Sequence, residues 1–416
     1  MLFVGTEFGL FFSNDTGKRW IQLKSGLPTI AIRDLAIQQR ENDLVAASFG
    51  RGFYILDDYT PLRSITDQSL SKDAVLFPVK KAHTLTLSSP FGGEGKGTNG
   101  DQFFSAPNPP LGATFTYYLK HELKSRAEQR RDTEKKLEKK DADAPYPSWS
   151  QLREEDREDS PAVVLTVSDE AGNVVRRITG TTKAGIQRVT WDLRYPPAEP
   201  TSLKKTQRDP WDPEPVGPLV APGTYKVALS ERVDDKLVAM GQAQTFEAVP
   251  LGGEILSPAD RAKMVAFEKQ TGQLQRAALG AVRAAAEAST RIDYLKQASL
   301  DTPRADPAMR ENLRSIELKL KDIQVALSGD PTIARRNEPT PPSIVDRINQ
   351  IVYGSWYTTE GSTLTHRKNY EIAAAQFGPV LARLRTLILV DLAKVEAAAE
   401  AAGAPWTPGR VPEWKG

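Results

Sequence analysis

The chain lacks cysteine entirely, and histidine is scarce among its 416 residues. Without cysteine there can be no disulfide bond, no catalytic thiol and no thiolate ligand for a metal. The three histidines are His83, His121 and His366, and none has a partner at the i, i+4 spacing of a helical zinc motif. The sequence therefore predicts no metal site and no bound cofactor, with each histidine an ordinary surface residue.

Neither sign of charge dominates, and long apolar runs are missing. Lysine and arginine total 55 against 53 acidic residues, a net charge of +2, which gives no overall electrostatic reason to expect nucleic acid or membrane binding. No apolar run approaches the roughly 18 residues of a membrane span. Met1 leads directly into a strand pattern, so no signal peptide is visible.

Motifs of common enzyme classes are also absent. No Gly-x-Ser-x-Gly nucleophile elbow occurs. The Gly-Lys-Gly-Thr around Lys96 fails the spacing of a phosphate-binding loop, because Pro90 and Gly97 stand where that motif needs Gly and Ser or Thr. We expect residues 88–102 to form a flexible linker.

The sequence does contain a clear turn signal at residues 13–20, between two strand-like runs. Ser13 and Asp15 can fold their short side chains onto turn amides. Gly17 supplies a positive φ without steric cost. Trp20 adds a flat apolar surface that a single hairpin cannot bury. The spacing is S-x-D-x-G-x-x-W.

A repeat of blade length surrounds this turn. Residues 2–12 resemble residues 44–55 at an offset of roughly 42 residues, the length of one four-stranded propeller blade. The second copy is degenerate, since Asp57 and Asp58 begin the stretch where the turn motif should stand. Two blades cannot close a propeller, so either further blades are missing or these strands pack on something else.

The turn motif is the Asp-box of bacterial-neuraminidase-repeat β-propellers. The first sixty residues resemble the last blades of bacterial sortilin-like propeller proteins, which are often labelled glycosyl hydrolases by fold analogy. The resemblance implies an exported protein, periplasmic or extracellular, of which this chain is the C-terminal part. It also implies that the Asp-box residues are structural and lie away from the ligand face: Ser13, Asp15, Gly17 and Trp20.

A sialidase-like glycoside hydrolase is the alternative that this resemblance leaves open. Such an enzyme needs an arginine cluster, a tyrosine nucleophile with its glutamate, and an aspartate acid on different blades, which two blades cannot supply. Arg51, Asp57 and Asp58 could line a propeller face, but paired carboxylates at a strand end are typical turn formers. We therefore predict no catalytic residue in this chain, and the alternative places the active site on missing upstream blades.

Residues 105–250 alternate as strands with intervening turns, which predicts a small β-sandwich. The phrases around Trp191 and Tyr225 resemble the immunoglobulin-like domain that follows the propeller in the same family, and we expect both rings in the core. The insert at 121–160 mixes both charges, which is typical of a solvated helix or disordered loop and not of a nucleic-acid patch. The proline-rich insert at 195–218 predicts an irregular loop.

From residue 257 to about residue 402 the apolar period changes from 2 to 3.6. Ser257, Pro258 and Asp260 form a helix start, with serine as the cap. Four stripes spaced three and four residues apart predict an antiparallel four-helix bundle followed by a tail.

The sequence thus predicts a multidomain β plus α protein. It comprises propeller blades with exit strands at 1–104, an immunoglobulin- or fibronectin-III-like β-sandwich at 105–250, and a helical bundle at 251–416. The expected function is that of a non-catalytic binding or scaffold region. Its expected partners are an unknown protein, peptide or glycan together with the missing propeller blades, with no nucleic acid and no membrane span.

Overall fold

The structure is a computed structural model that describes residues 1–85, 102, 106, 108–203, 214–252 and 256–414. It combines β-sheets with α-helices, as the sequence predicts, at 40% helix and 23% strand. Contacts divide the chain into two units. Unit 1 comprises Met1–Thr84, Phe103–Leu193 and Pro222–Leu251, and unit 2 comprises Leu85–Gln102, Arg194–Ala221 and Gly252–Gly416. Of the linker predicted at 88–102, residues 88–101 lie outside the described residues, as does Trp211 of the proline-rich insert.

Unit 1 begins with two antiparallel three-stranded sheets. Glycine is required where they meet, because a Cβ on Gly5 would lie 2.8 Å from the side chain and the carbonyl oxygen of Ile32. Leu10, Leu44 and Tyr59 are buried in a shared apolar cluster. The first sheet contains β1 (Leu2–Thr6), β2 (Gly9–Ser13) and β3 (Ile21–Leu23), and the second contains β4 (Ile32–Gln38), β5 (Asp43–Ser48) and β6 (Phe53–Leu56).

The segment that follows returns to later parts of the chain. A 3₁₀ turn at Thr60–Ser64 and the short helix α1 (Asp67–Ser71) lead to β7 (Ala74–Leu76) and β8 (Ala82–Thr84). These two strands pair with strands more than 30 residues away, described next, and their neighbour Phe77 is almost completely buried.

Two further sheets complete unit 1. The smaller has the order β12-β9-β7, with β9 at Ala113–Leu119 and β12 at Gly185–Trp191. The larger has the order β11-β10-β13-β15-β8, with β14 pairing with β13. Its remaining strands are β10 (Ala162–Asp169), β11 (Val174–Gly180), β13 (Gly223–Val233), β14 (Lys236–Ala239) and β15 (Gln244–Pro250).

Aromatic rings join these two sheets. Phe115 of β9 meets Phe246 of β15 edge to face, with ring centroids 5.5 Å apart. Trp191 and Tyr225 are buried beside them, also edge to face at 5.5 Å. The prediction that both of these rings lie in the core is confirmed.

The charged insert forms two exposed helices, α2 (Arg126–Glu138) and α3 (Trp149–Arg157). Ser125 and Ser148 cap them through reciprocal hydrogen bonds with the residues three positions later. Arg130 of α2 donates to both carboxylate oxygens of Glu155 of α3, at 2.7 and 2.8 Å. Of the two sequence alternatives, solvated helix or disordered loop, the structure has the helix.

Unit 2 is mainly helical. The helix start predicted at Ser257 is confirmed, since its hydroxyl accepts the Asp260 amide and Pro258 occupies the first turn. The helices share one apolar core. They are α4 (Pro258–Leu300), α5 (Pro307–Ser328), α6 (Pro331–Ala334), α7 (Ile344–Ser355), α8 (Leu364–Thr386) and α9 (Ala393–Ala401), the last two joined by a π-helical segment, Leu387–Leu392.

Candidate functional site

The loop between β2 and β3 carries the four predicted structural residues. Ser13 is 1% exposed, and its hydroxyl donates to Asp15 Oδ1 at 2.7 Å while accepting the Gly17 amide at 2.9 Å. Asp15 Oδ1 also accepts the Arg19 amide at 3.0 Å. The Ser13 hydroxyl, and then the Arg19 amide, lower the pKa of Asp15. Both side chains therefore close the turn through its own amides, as the sequence predicts.

Gly17 and Trp20 are the other two predicted structural residues of this turn. Gly17 has φ +93°, while a Cβ there would meet nothing closer than 3.7 Å, so the backbone conformation and not space calls for glycine. Trp20 remains 43% exposed. The side-chain Nδ2 of the neighbouring Asn14 donates to the carbonyl oxygens of Leu62 and Ile65. The turn is thereby tied to the segment that follows β6.

Next to this turn lies a groove of about 730 Å³, which we call the unit-1 groove. Its lining is largely apolar and comes from sheets distant in sequence. Phe12, Ile21 and Leu23 line it from β2 and β3, whereas Ile55 lines it from β6 and Ile186 from β12. Ser13, Asp15, Gly17 and Trp20 themselves are not among the residues of the lining.

Cationic groups stand among the polar residues of the groove. Arg19, Lys24 and Arg188 contribute positive charge, and Asp58 contributes one carboxylate. The Arg188 guanidinium donates to the backbone oxygens of Asp57 and Asp58, at 2.7 and 2.5 Å. Arg188 of β12 thus holds the loop that ends β6, a role that no local sequence signal announces.

The Asp58 carboxylate after β6 accepts hydrogen bonds from the residue that follows the turn. Asp58 adopts φ +48° and its Oδ1 accepts the Thr60 amide at 3.1 Å and hydroxyl at 2.5 Å. Asp43 in turn accepts the Asp58 amide at 2.8 Å. These contacts are those of a turn former, in agreement with the sequence interpretation of Asp58.

Two strand edges border the unit-1 groove. In the sheet orders of the described residues, β3 and β6 each stand at an edge, and both contribute lining residues. Apolar side chains on or beside β6 are strongly exposed, with Phe53 at 75%, Ile55 at 61% and Phe49 at 67%. Exposed apolar strands at a sheet edge are unusual in a finished sheet, because their unpaired backbone groups and apolar side chains stay open to solvent.

In the described part of the chain, no group of three His, Asp or Glu residues is close enough together to hold a metal ion. His121 is exposed, whereas His83 of β8 and His366 of α8 are half-buried. Burial lowers the pKa of His366. His366 also accepts the Thr363 amide at the start of α8, where its position is structural.

One stretch of unit 2, Leu364–Ala401, is long and apolar enough to cross a membrane by length and composition alone. The core helix of a soluble protein satisfies the same criterion. Ala373, Phe377 and Leu384 on this stretch contribute to the apolar core of unit 2.

Comparison with known proteins adds no relative. No protein-family model, curated protein or solved structure matches the chain. The resemblance to sortilin-like propeller proteins therefore stays a prediction from sequence.

Proposed function

We propose that this chain is a non-catalytic binding and scaffold region of an exported, sortilin-like β-propeller protein. In this proposal the two sheets at residues 2–56 are propeller blades, residues 105–250 form an immunoglobulin-like sandwich, and the helices of unit 2 form a four-helix bundle. The support comes from the repeat of blade length, the Asp-box turn and the sheets and helices described above. The sialidase-like alternative remains a prediction about upstream sequence.

The observation that carries the binding function is the unit-1 groove with its two edge strands. A strand edge presents unpaired backbone N–H and C=O groups, and an extended segment can add to it as a further strand. The apolar lining favours alternate apolar side chains on that segment. Arg19 is already paired with Asp67, so Lys24 and Arg188 are the cationic residues of the lining that favour acidic ends on the segment. An extended polypeptide, from a ligand or from a neighbouring blade, fits these properties better than a glycan, which needs more hydrogen-bonding partners.

A peptide titration tests this function. The probe is a fluorescein-labelled peptide of alternating valine and threonine with glutamates at both ends. Its matched control has proline at alternate positions, which removes the backbone donors of strand addition. We expect saturable anisotropy for the first peptide and at least about tenfold weaker binding for the second, because main-chain hydrogen bonds supply the affinity.

Three single-residue variants test whether the peptide binds in the unit-1 groove. Ile55→Ser and Ile186→Ser remove apolar contact area from the groove, and each should weaken binding by about 5- to 30-fold, the equivalent of about 1–2 kcal/mol. Leu237→Ser on β14 is the control, since Leu237 is similarly exposed but lies outside the groove. Equal binding of both peptides, or equal loss in all three variants, would contradict the proposal. Glycosidase turnover that a point mutation abolishes would show that the region is catalytic.

A further inference from the structure

Helix α4 buries a row of polar side chains on one face. Glu268, Thr271 and Gln275 follow each other at spacings of three and four, and they are 3%, 0% and 5% exposed. The Thr271 hydroxyl donates to the Phe267 carbonyl oxygen at 2.9 Å. By contrast, Glu268 Oε2 and Gln275 Oε1 have no hydrogen-bond partner among the described residues. A buried polar atom without a partner is costly, so each calls for an explanation.

Gln275 lines a cleft of about 460 Å³ in unit 2, which we call the unit-2 cleft. Leu279 and Val282 of α4 form one wall, and Tyr353 and Trp356 stand at the end of α7. Trp356 is 2% exposed, and its Nε1–H also lacks an acceptor in the described part of the chain. The volume falls in the range of small-molecule sites, and the cleft combines apolar walls with buried polar atoms that await a partner.

Two short stretches of unit 2, residues 194–200 and 214–219, lie along the cleft. Backbone pairing joins them to each other. The Tyr195 amide donates to the Pro218 carbonyl oxygen at 3.0 Å, and Arg194 pairs with Leu219. Only glycine fits at position 217, because a Cβ there would lie 2.2 Å from the Tyr195 carbonyl oxygen. Pro200 and Pro215, which lie close to these residues in sequence, also line the cleft.

Arg194 ties these stretches to α7. Its guanidinium donates to the carbonyl oxygens of Gly217 and Trp356 at 3.0 and 2.9 Å, and it lies 5.6 Å from the centre of the Tyr357 ring. The walls of the cleft are therefore built from packed and hydrogen-bonded elements, which is the condition for a preformed site.

The charge of the cleft is mainly negative. Glu199 and Glu214 are exposed on its lining, and neither forms an ion pair with any residue that the structure describes. Arg283, the cation on the lining, lies 3.5 Å from Glu287 and is compensated by it. Two carboxylates that have no ion-pair partner among the described residues share this lining with the exposed ring of Tyr353, and together they favour a positive ligand through ionic and cation–π attraction.

We propose that the unit-2 cleft binds an organic cation that carries N–H donors on an apolar stem, such as a peptide lysine side chain or the end of a free polyamine. Gln275 Oε1 accepts an N–H of the ligand, the aliphatic stem lies against Leu279 and Val282, and the charge is balanced by Glu199 and Glu214. The Trp356 Nε1–H remains available to donate a hydrogen bond. A peptide ligand has a carbonyl oxygen that accepts it, whereas a polyamine has no such oxygen. This site is in unit 2 and does not rest on the function proposed for unit 1.

Calorimetric titration of the full chain with three probes tests the proposal and separates the two sources. The probes are Nα-acetyl-lysine N-methylamide, its uncharged analogue Nα-acetyl-norleucine N-methylamide, and 1,5-diaminopentane. We expect the lysine probe to bind at least tenfold more tightly than the norleucine probe. Tighter binding of the lysine probe than of the diamine identifies a peptide ligand, and the reverse order identifies a polyamine. Absence of binding by both cations, or equal binding of lysine and norleucine probes, overturns the proposal.

Three variants assign the contacts. Gln275→Met keeps the volume but removes the acceptor, so cation binding should fall about five- to tenfold while thermal stability is unchanged or higher. The double variant Glu199→Gln, Glu214→Gln should weaken binding about three- to thirtyfold and flatten its salt dependence. Glu371→Gln on α8, an exposed carboxylate outside the cleft, is the control for loss of one surface carboxylate. Loss of the same size in this control, or no loss in the other two variants, overturns the proposal.

Discussion

Glu268 is a carboxyl group buried among the helices of unit 2, and burial raises its pKa to about 8. Arg194 lowers the pKa again, but by less than burial raises it. In the unfolded chain the Glu268 carboxyl group loses its proton near its ordinary pKa of 4.5. In the folded chain it keeps the proton until about pH 8. Between these values the folded state binds more protons than the unfolded state, so the free energy of unfolding falls as pH rises.

The variant Glu268→Gln should remove this dependence. At pH 5 the two free energies of unfolding should differ by less than about 1 kcal/mol, because Glu268 is then neutral in the folded state and only partly ionised in the unfolded state. At pH 7 it should be more stable than wild type by about 3 kcal/mol, from 2.5 pKa units at about 1.4 kcal/mol each. Denaturant unfolding at pH 5, 6, 7 and 8 measures the difference, with Glu371→Gln as the exposed control. Parallel curves for wild type and Glu268→Gln would contradict the assignment.

At the scale of elements, the hairpin loop between β2 and β3 shows how side chains replace backbone pairing in a turn. The Ser13 hydroxyl both accepts the Gly17 amide and donates to Asp15, while Asp15 holds the Arg19 amide. The backbone between these residues turns through the positive φ of Thr16 and Gly17, +63° and +93°. The loop therefore depends on one buried hydroxyl group that serves two partners.

Replacing Ser13 with alanine should lower the free energy of unfolding by about 1–2 kcal/mol, because the Gly17 amide and the Asp15 carboxylate both lose a partner. Ser71→Ala is the matched control: its exposed hydroxyl donates to the Gln68 carbonyl oxygen, and its loss should cost less than about 0.5 kcal/mol. Urea unfolding of both variants gives the comparison. A similar cost for the two would mean that the turn is not held by Ser13.

At the scale of the whole molecule, the short strands β7 and β8 connect the first part of unit 1 with its later sheets. β7 pairs with β9, and β8 pairs in parallel with β15. Leu76 and Phe77 are almost completely buried there. Both short strands lie before the domain boundary that the sequence predicts at residue 104, whereas the strands with which they pair lie after it.

Two truncated chains should therefore differ sharply. A chain that starts at residue 73 keeps both strands and should unfold cooperatively, although it exposes the groove side of β9 and β12. A chain that starts at residue 105 also loses the burial of Leu76, worth about 2–3 kcal/mol, and the strand pairs of β7 and β8. We expect that chain to aggregate or to melt without a sharp transition in light scattering and calorimetry. Equal behaviour of the two chains would show that β7 and β8 are dispensable.

The sequence by itself determined the local features of this protein. The turn at Ser13 and Gly17, the helix start at Ser257 and the burial of Trp191 were all predicted from residues close together in the chain. Each depends on hydrogen bonds or side-chain periods that span a few residues. The serine caps of α2 and α3 are signals of the same local kind, and they favour helix over loop in the charged insert.

Only the tertiary structure decided which distant residues meet. Arg188 holds the carbonyl oxygen of Asp58, 130 residues away in sequence. In the same way, no local pattern says that Glu268 and Gln275 lack partners while lying on the buried face of α4. Such contacts arise when apolar faces are buried together and polar groups are carried inside with them. Their partners are set by the packing of whole elements and not by neighbours in the chain.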